Sequence, residues 1–298
     1  MMIHPQFDPI ALSLGPVQVH WYGFMYLLAF AAAYGLAWYR SSKREGWTTE
    51  MVSDLVFYGA LGVILGGRIG YVFLYQFGEL LADPTYIFRV WEGGMSFHGG
   101  FIGVALAMIY FARKYKKPIF NVLDFIVPCV PTGLLFGRIG NYINGELWGR
   151  VSDGGYNWLT YFPQAARFDA ELLNSTPALQ SLAMQVNEVA LLPRHPSQLY
   201  EAFAEGLLTF ILVWWFSSKP RPRMAVSALF MLCYGISRFT IEFFRQPDAG
   251  YDLIFGWMSK GQLYTLPMIL IGLLLMVLAY RNQVYDWGKY ANNAPQSR

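Results

Sequence analysis

Seven long apolar segments, separated by polar stretches, constrain this chain more than any other feature of its sequence. They cover about residues 18–39, 53–77, 97–112, 121–142, 199–217, 225–244 and 263–280. A helix needs roughly 20 mostly apolar residues to cross the hydrocarbon core of a bilayer. Only 14% of the 298 residues are charged, against roughly 25% in soluble proteins. The pattern therefore predicts an all-α integral membrane protein with seven transmembrane helices.

One connection between these segments is much longer than the others. Residues 143–198 join the fourth and fifth predicted helices, and the stretch RFDAELLNSTPALQSLAMQVNEVALL within them predicts one or two short amphipathic helices. We expect residues 1–298 to form a single membrane domain, with residues 143–198 inserted as a small head. We expect no removable signal peptide, because residues 1–18 lack a basic segment and an A-x-A-like cleavage site.

Basic residues divide unevenly between the two sides of the predicted bundle. Thirteen lie in residues 40–44, 113–117, 219–223 and 281–298, which fall on one side. Six lie on the other side: Arg89, Arg150, Arg167, Arg194, Arg245 and Lys260. Because positive charge stays in the cytoplasm, we expect a periplasmic N-terminus, a cytoplasmic C-terminus and a periplasmic head.

The three remaining basic residues, Arg68, Arg138 and Arg238, fall inside predicted membrane helices. An arginine at membrane depth costs at least about 2.5 kcal/mol on insertion, so it indicates a functional site. The alternative is that each side chain extends from near a helix end to the lipid headgroups. Around Arg68, glycines recur every four residues and predict a close contact with another helix; they are Gly62, Gly66 and Gly70.

The end of the fourth predicted helix carries polar side chains where a membrane helix ordinarily carries leucine. In LFGRIGNYINGELWGR, Arg138 and Asn141 lie three residues apart on one helix face. Asn144 and Glu146 follow as the chain leaves the membrane. The predicted orientation places all four near the outer leaflet.

The sixth predicted helix carries a second polar stripe in YGISRFTIEFFRQ. Tyr234, Arg238, Glu242 and Arg245 recur at helical spacing, and Arg238 can pair with Glu242. Two interpretations remain open: an ion pair that locks helices together, or the polar wall of a cavity that opens outward.

His98 stands apart among the four histidines because glycine pairs at 93–94 and 99–100 flank it. It begins the third predicted helix on the outer side. Such a histidine is either a structural hydrogen-bonding residue or an acid–base group, since imidazole titrates near neutral pH.

Together these residues predict a site with grouped guanidiniums and one candidate acid–base group. Guanidinium groups suit a phosphate, through charge-assisted and often bidentate hydrogen bonds. The chain has no Walker-type loop, no G-x-S-x-G elbow and no His, Asp or Glu cluster with metal-ligand spacing. Residue spacing thus predicts a site for an anionic lipid headgroup, with no role for nucleic acid, and leaves the reaction open.

Several motifs resemble those of the prolipoprotein diacylglyceryl transferase family. The resemblance covers nearly the whole chain and runs through HWYGFMY, GGRIGY, GGMSFHGG, GRIGNYINGELWGR, RHPSQLYE and SRFTIEFFRQPD. It implies a bacterial inner-membrane enzyme that transfers the diacylglyceryl group of phosphatidylglycerol to the lipobox cysteine thiol of a preprolipoprotein. Glycerol 1-phosphate leaves, and neither a metal nor an organic cofactor takes part.

The resemblance also implies roles for individual residues. His98, Arg138 and Arg238 would be essential, with His98 either accepting the thiol proton or holding the headgroup or its loop. Six residues would support them: Tyr22, Asn141, Glu146, Tyr234, Glu242 and Arg245. We add Arg68 and Asn144 as headgroup-binding candidates because of their positions in the motifs. We expect Glu146 and Glu242 to pair with arginines, which would keep both carboxylates weakly basic.

Two other classes of function remain compatible with intramembrane arginines. One is a transporter or flippase for an anionic lipid, which would need access to both leaflets. The other is a different phospholipid-using transferase, which would share the phosphate site but use another acceptor.

Overall fold

The computed structural model describes residues 1–15, 17–247 and 253–288. Within this part of the chain the body consists of seven long helices: α1 (Trp21–Ser41), α2 (Thr49–Tyr75), α3 (Phe97–Lys114), α4 (Ile119–Ile143), α5 (Ser197–Ser217), α6 (Ala225–Ile241) and α7 (Lys260–Asn282). Each coincides with one predicted segment to within a few residues. Helices α2, α4, α5 and α7 are long and apolar enough to cross a membrane, and α6 is apolar but shorter. Lys289 and Arg298, which contribute to the predicted charge asymmetry, lie outside the described residues.

The predicted, mostly helical fold is confirmed, and short strands that the sequence did not predict border the helices. Strands β2 (Ile10–Leu14) and β3 (Val17–His20) form an antiparallel hairpin that leads into α1. A three-stranded sheet combines β1 (Met2–Ile3), β4 (Thr160–Tyr161) and β7 (Pro193–Arg194), and a second hairpin pairs β5 (Met184–Val186) with β6 (Val189–Leu191). Strand β1 pairs with residues more than 150 positions away, which local periodicity does not reveal.

A buried ion pair organises the head, residues 143–198. Its amphipathic helix, Ala166–Ser175, carries Asp169, which bonds to Arg194 of β7 with both side chains fully buried. Burial raises the pKa of the Asp169 carboxyl and lowers the pKa of the Arg194 guanidinium, while the charge of each opposes the shift of the other. Arg194 also donates to the carbonyl of Gly149 at 3.0 Å. Arg194 therefore joins Asp169 to the segment that directly follows α4, within the predicted head.

Helices α2 and α3 pack through facing glycines, as the spacing of Gly62, Gly66 and Gly70 predicts. The partners on α3 are Gly99 and Gly103, whose backbones lie directly against those of α2. A Cβ atom on Gly103 would lie 2.1 Å from the carbonyl oxygen of Gly62. No side chain fits there, so this contact places the start of α3, with His98, against α2.

Substituting alanine at Gly103 will destabilise the protein by about 1–3 kcal/mol, the usual cost of forcing extra volume into a packed interface. Thermal unfolding in detergent measures the effect. Gly35→Ala is the matched control, because a Cβ on this α1 glycine meets nothing within 4 Å. Equal melting temperatures for the two variants would contradict the glycine-mediated packing.

Candidate active site

Three arginines and three glutamates from α4, α5 and the end of α6 meet in one buried group, here called the Arg–Glu cluster. Its members are Arg138, Glu201, Glu205, Arg238, Glu242 and Arg245. The side chains of Glu201 and Glu205 are fully buried, whereas those of Arg138 and Arg238 are 19% and 11% exposed. Equal numbers of opposite charges reduce the cost of burying each one.

Two carboxylates link the two central arginines. Glu201 lies 3.2 Å from Nη1 of Arg138 through Oε2, and it accepts a 2.6 Å hydrogen bond from Nη1 of Arg238 through Oε1. Glu205 lies 3.4 Å from Nη2 of Arg138 and 3.5 Å from Nη1 of Arg238. The spacing of the two guanidiniums is therefore set by side chains of α5.

The third carboxylate of the cluster, Glu242, directly follows α6 and contacts the start of α7. Glu242 contacts Nη2 of Arg238 at 2.9 Å and accepts a 2.9 Å hydrogen bond from the Ser259 hydroxyl. Ser259 is also the N-cap of α7, and a Cβ on Gly261 would lie 2.5 Å from Glu242 Oε1. Arg245 approaches Glu242 at 4.0 Å and Glu201 at 3.9 Å. The prediction that Glu242 pairs with an arginine is thus confirmed.

The same prediction is wrong for Glu146. Its carboxylate Oε1 accepts hydrogen bonds from the side-chain amides of Asn141 and Asn144 at 2.9 and 3.3 Å. Its backbone carbonyl accepts a 2.6 Å bond from Gln198 of α5. The chain turns directly after α4, and this turn brings the carboxylate of Glu146 within hydrogen-bond distance of the two amides.

Two tyrosines flank the cluster. Tyr22 of α1 packs beside α4 at Gly140, lies within range of the charges of Arg138 and Glu146, and contacts the Tyr26 hydroxyl at 3.3 Å. Tyr234 of α6 lies close enough to Arg238 and Glu205 to interact with their charges. The structure therefore brings both predicted tyrosines to the same region as the arginines.

Arg68 engages a different part of the protein. Its guanidinium donates to the backbone carbonyls of Tyr86, Ile87 and Gly93 at 2.6, 3.2 and 2.6 Å, and its side chain is buried. These bonds use most of its donors, so Arg68 anchors the loop that precedes α3. The headgroup contact of Arg68 stays a prediction, since the bonds observed here hold the loop and involve no ligand.

His98 lies in the first turn of α3, directly after the N-cap Ser96, and its side chain is exposed. Its ring packs edge-on against Phe97, 5.7 Å away between centroids. Within the described residues no hydrogen bond or ion pair joins His98 to the Arg–Glu cluster. The imidazole of His98 is therefore exposed, and its role stays a prediction.

Sequence reasoning missed Glu201 and Glu205. Both lie in the fifth predicted helix, four residues apart in QLYEAFAE. Intramembrane carboxylates are as costly as intramembrane arginines and mark functional sites equally well. An inventory of acidic residues inside the predicted helices would have included both as candidate partners for the arginines, together with Asp54, Asp124 and Glu242.

The geometry of the cluster suits recognition of an anion. Arg138 and Arg238 are held by carboxylates, yet 19% and 11% of their side chains stay exposed, and the planar fork of a guanidinium favours bidentate phosphate binding. Preorganised charges in a poorly solvated site stabilise a leaving group without reorganising during the reaction.

Comparison with known proteins identifies the family to which this chain belongs. Residues 9–278 match the family model for prolipoprotein diacylglyceryl transferase. Three similar relatives carry the name phosphatidylglycerol–prolipoprotein diacylglyceryl transferase. The protein of Psychrobacter arcticus is 75% identical, over 98% of this chain and 99% of its own length. Those of Acinetobacter baumannii and Acinetobacter baylyi are 58% and 59% identical, over 98% and 97% of this chain and 100% and 98% of their own. This protein, a membrane protein with apolar helices, therefore belongs to the bacterial prolipoprotein diacylglyceryl transferase family.

Proposed function

We propose that this protein transfers the diacylglyceryl group of phosphatidylglycerol to the lipobox cysteine thiol of a preprolipoprotein. The observation that carries the proposal is the pair Arg138 and Arg238, fixed by shared carboxylates and still partly exposed. This arrangement lies in a chain that is 75% identical to a relative named for that reaction.

The proposed reaction forms one bond and breaks one. The cysteine sulfur attacks the glyceryl carbon that bears the phosphate ester, a carbon–sulfur bond forms, and the carbon–oxygen bond to phosphate breaks. The electron pair leaves with glycerol 1-phosphate, and Arg138 and Arg238 neutralise its growing charge. The thiol proton goes to a base, for which we propose His98. The nucleophile belongs to the substrate, so the two free cysteines of the enzyme, Cys129 and Cys233, take no part.

The remaining candidates orient the headgroup or the arginines. We propose that Asn141, Asn144 and Glu146 form a polar turn beside the phosphate site, and that Tyr22 and Tyr234 border it. Glu242 and Arg245 would orient Arg238. Arg68 would act indirectly, by holding the loop that leads to His98.

We propose that all seven long helices span the bacterial inner membrane, with residues 143–198 as a periplasmic head and the site facing the periplasmic leaflet. Helix α6 has 17 residues, which gives about 26 Å at 1.5 Å per residue. The lipid substrate and the membrane-anchored preprolipoprotein would then enter from the plane of the bilayer.

The orientation predicts the behaviour of reporter fusions. A reporter active only in the cytoplasm will work when fused after Arg298 and will be silent when inserted after Asp169. The reason is that the loops on the side of the C-terminus carry most of the positive charge, which stays in the cytoplasm. Silence after Arg298 together with activity after Asp169 would reverse the orientation and the location of the site.

A reconstituted assay tests the function itself. Purified protein is incubated with phosphatidylglycerol vesicles and a lipobox peptide, with a Cys→Ser peptide as control. We expect a thioether-linked diacylglyceryl peptide and stoichiometric glycerol 1-phosphate, from the cysteine peptide alone. Lipid movement between leaflets without product would indicate a transporter, and glycerol phosphate release without a lipidated peptide would indicate another transferase.

A further inference from the structure

The buried face of α5 repeats every four residues. Glu201, Glu205, Thr209 and Val213 are all fully buried, and Ser217 is 1% exposed. In a straight α-helix each residue turns by about 100°, so positions four apart drift by about 40° per step. Over this distance the drift would carry the last side chain to the opposite face. A regular α-helix therefore does not explain the pattern.

A π-helical segment, Ala202–Leu208, removes the drift. Its hydrogen bonds reach five residues back, which widens the turn, and such segments are rare and frequent at functional sites. The Thr209 hydroxyl donates to the Ala204 carbonyl, five residues earlier, at 2.8 Å, and Ser237 of α6 donates to the same oxygen at 3.4 Å. The Thr209 side chain thus stabilises the wide turn by a hydrogen bond within the same helix.

The wide turn also brings α5 close to α4. A Cβ on Gly206 would lie 2.8 Å from the Cα of Leu135, so the two backbones touch three residues before Arg138. On the same turn, Glu205 reaches both Arg138 and Arg238. The π segment is therefore the element that sets Glu205 between the two guanidiniums.

We propose that Glu205 and Thr209 are positioning residues for the transfer reaction: Glu205 sets the spacing of Arg138 and Arg238, and the Thr209 hydroxyl holds the π turn that presents Glu205. The inference rests on the proposed function for its kinetic readout. Neither residue touches the reacting atoms.

The position of Glu205 has a consequence for binding. Its carboxylate occupies guanidinium donors that an incoming phosphate also uses, so it competes with the headgroup while it orients the arginines. Removing the charge of Glu205 will tighten phosphate binding and slow catalysis. A substitution that merely misfolds part of the sample lowers the number of sites but leaves the affinity of the folded molecules unchanged.

Thr209→Val tests the turn, because valine keeps the shape and removes the hydroxyl. We expect kcat to fall about fivefold, the effect of about one hydrogen bond, and the Kd for glycerol 1-phosphate to fall as in Glu205→Gln but by less, because Glu205 is presented less well and competes less with the phosphate. Thr209→Ser, which keeps the hydroxyl, will restore both. Thr265→Val is the matched control, because the Thr265 hydroxyl donates to the Gln262 carbonyl at 2.8 Å and the residue is also buried, in α7. Kinetic constants for Thr209→Val that equal those of Thr265→Val would overturn the proposal.

Glu205→Gln tests the competition, by calorimetric titration with glycerol 1-phosphate. We expect the Kd to fall at least about fivefold, since one nearby negative charge is lost, while kcat falls about 10²-fold through misplaced guanidiniums. An unchanged or higher Kd would overturn the inference. The titration needs no turnover, so it decides the inference even if the wild-type protein makes no thioether product, a result that would refute the proposed function alone.

Discussion

Arg138→Lys and Arg238→Lys variants will each lose about 10²–10³-fold in the rate of thioether formation, the range for removing one donor from a developing oxyanion. Lysine keeps the charge but replaces a planar fork of five donors with a single ammonium group. Arg138 meets Glu201 and Glu205 through different nitrogens, and Arg238 contacts three carboxylates. One ammonium nitrogen cannot maintain these contacts and bind a phosphate.

The rate is measured with phosphatidylglycerol vesicles and a lipobox peptide, after normalising to the amount of membrane-inserted protein. Arg167→Lys is the control, because its side chain is 95% exposed in the head and exposed ion pairs contribute little. Glu242→Gln should lose less activity than either arginine variant, since it only orients Arg238. Wild-type rates in either lysine variant would mean that positive charge alone suffices at this site.

His98→Gln will lose at least about 10²-fold in rate at pH 7, the usual contribution of a general base. A cysteine thiol has a pKa near 8.5, so only a few per cent of the substrate is thiolate at that pH. Raising the pH toward about 9 will then recover part of the lost rate, because the thiol ionises without the base. The pH–rate profile of the variant, compared with wild type, measures this recovery.

Two other histidines at this end of the bundle, His20 and His195, provide the comparison. His20 is exposed before α1, whereas His195 is partly buried beside the Tyr200 hydroxyl at 3.1 Å, and burial lowers the pKa of its imidazole. His20→Gln and His195→Gln will keep the pH profile of wild type. If His98→Gln stays within a few-fold of wild type at pH 7, His98 positions groups and thiol activation falls to the arginines.

Features that depend on neighbouring residues along the chain could be predicted from the sequence, and features that depend on contacts between distant segments could not. Hydropathy is local, so the seven helices emerged at the correct places. Strand pairing is not local, so the mostly helical fold was predicted but the sheet that joins Met2 and Ile3 to Thr160 and Tyr161 was missed. The partners of Glu146 depended on a turn geometry that residue spacing does not define.

The three arginines inside the predicted helices also show which features the local sequence predicts and which depend on tertiary packing. Arg68 has glycines around it and Arg138 and Arg238 have polar neighbours, but local sequence does not identify the partners of any of the three guanidiniums. Only the packing of α2 against the 86–94 loop assigns Arg68 to backbone carbonyls, while α5 supplies carboxylates to the other two.

By itself the amino-acid sequence determined the membrane environment, the seven helical segments and the presence of arginines within them, because apolar length and misplaced charge depend on composition along the chain. The tertiary structure alone decided that Glu201 and Glu205 link Arg138 to Arg238. It also decided that a π turn closed by Thr209 presents Glu205 to the cluster. Ion pairing inside a bundle depends on how helices rotate and approach one another, and that rotation is set by packing between segments distant in sequence.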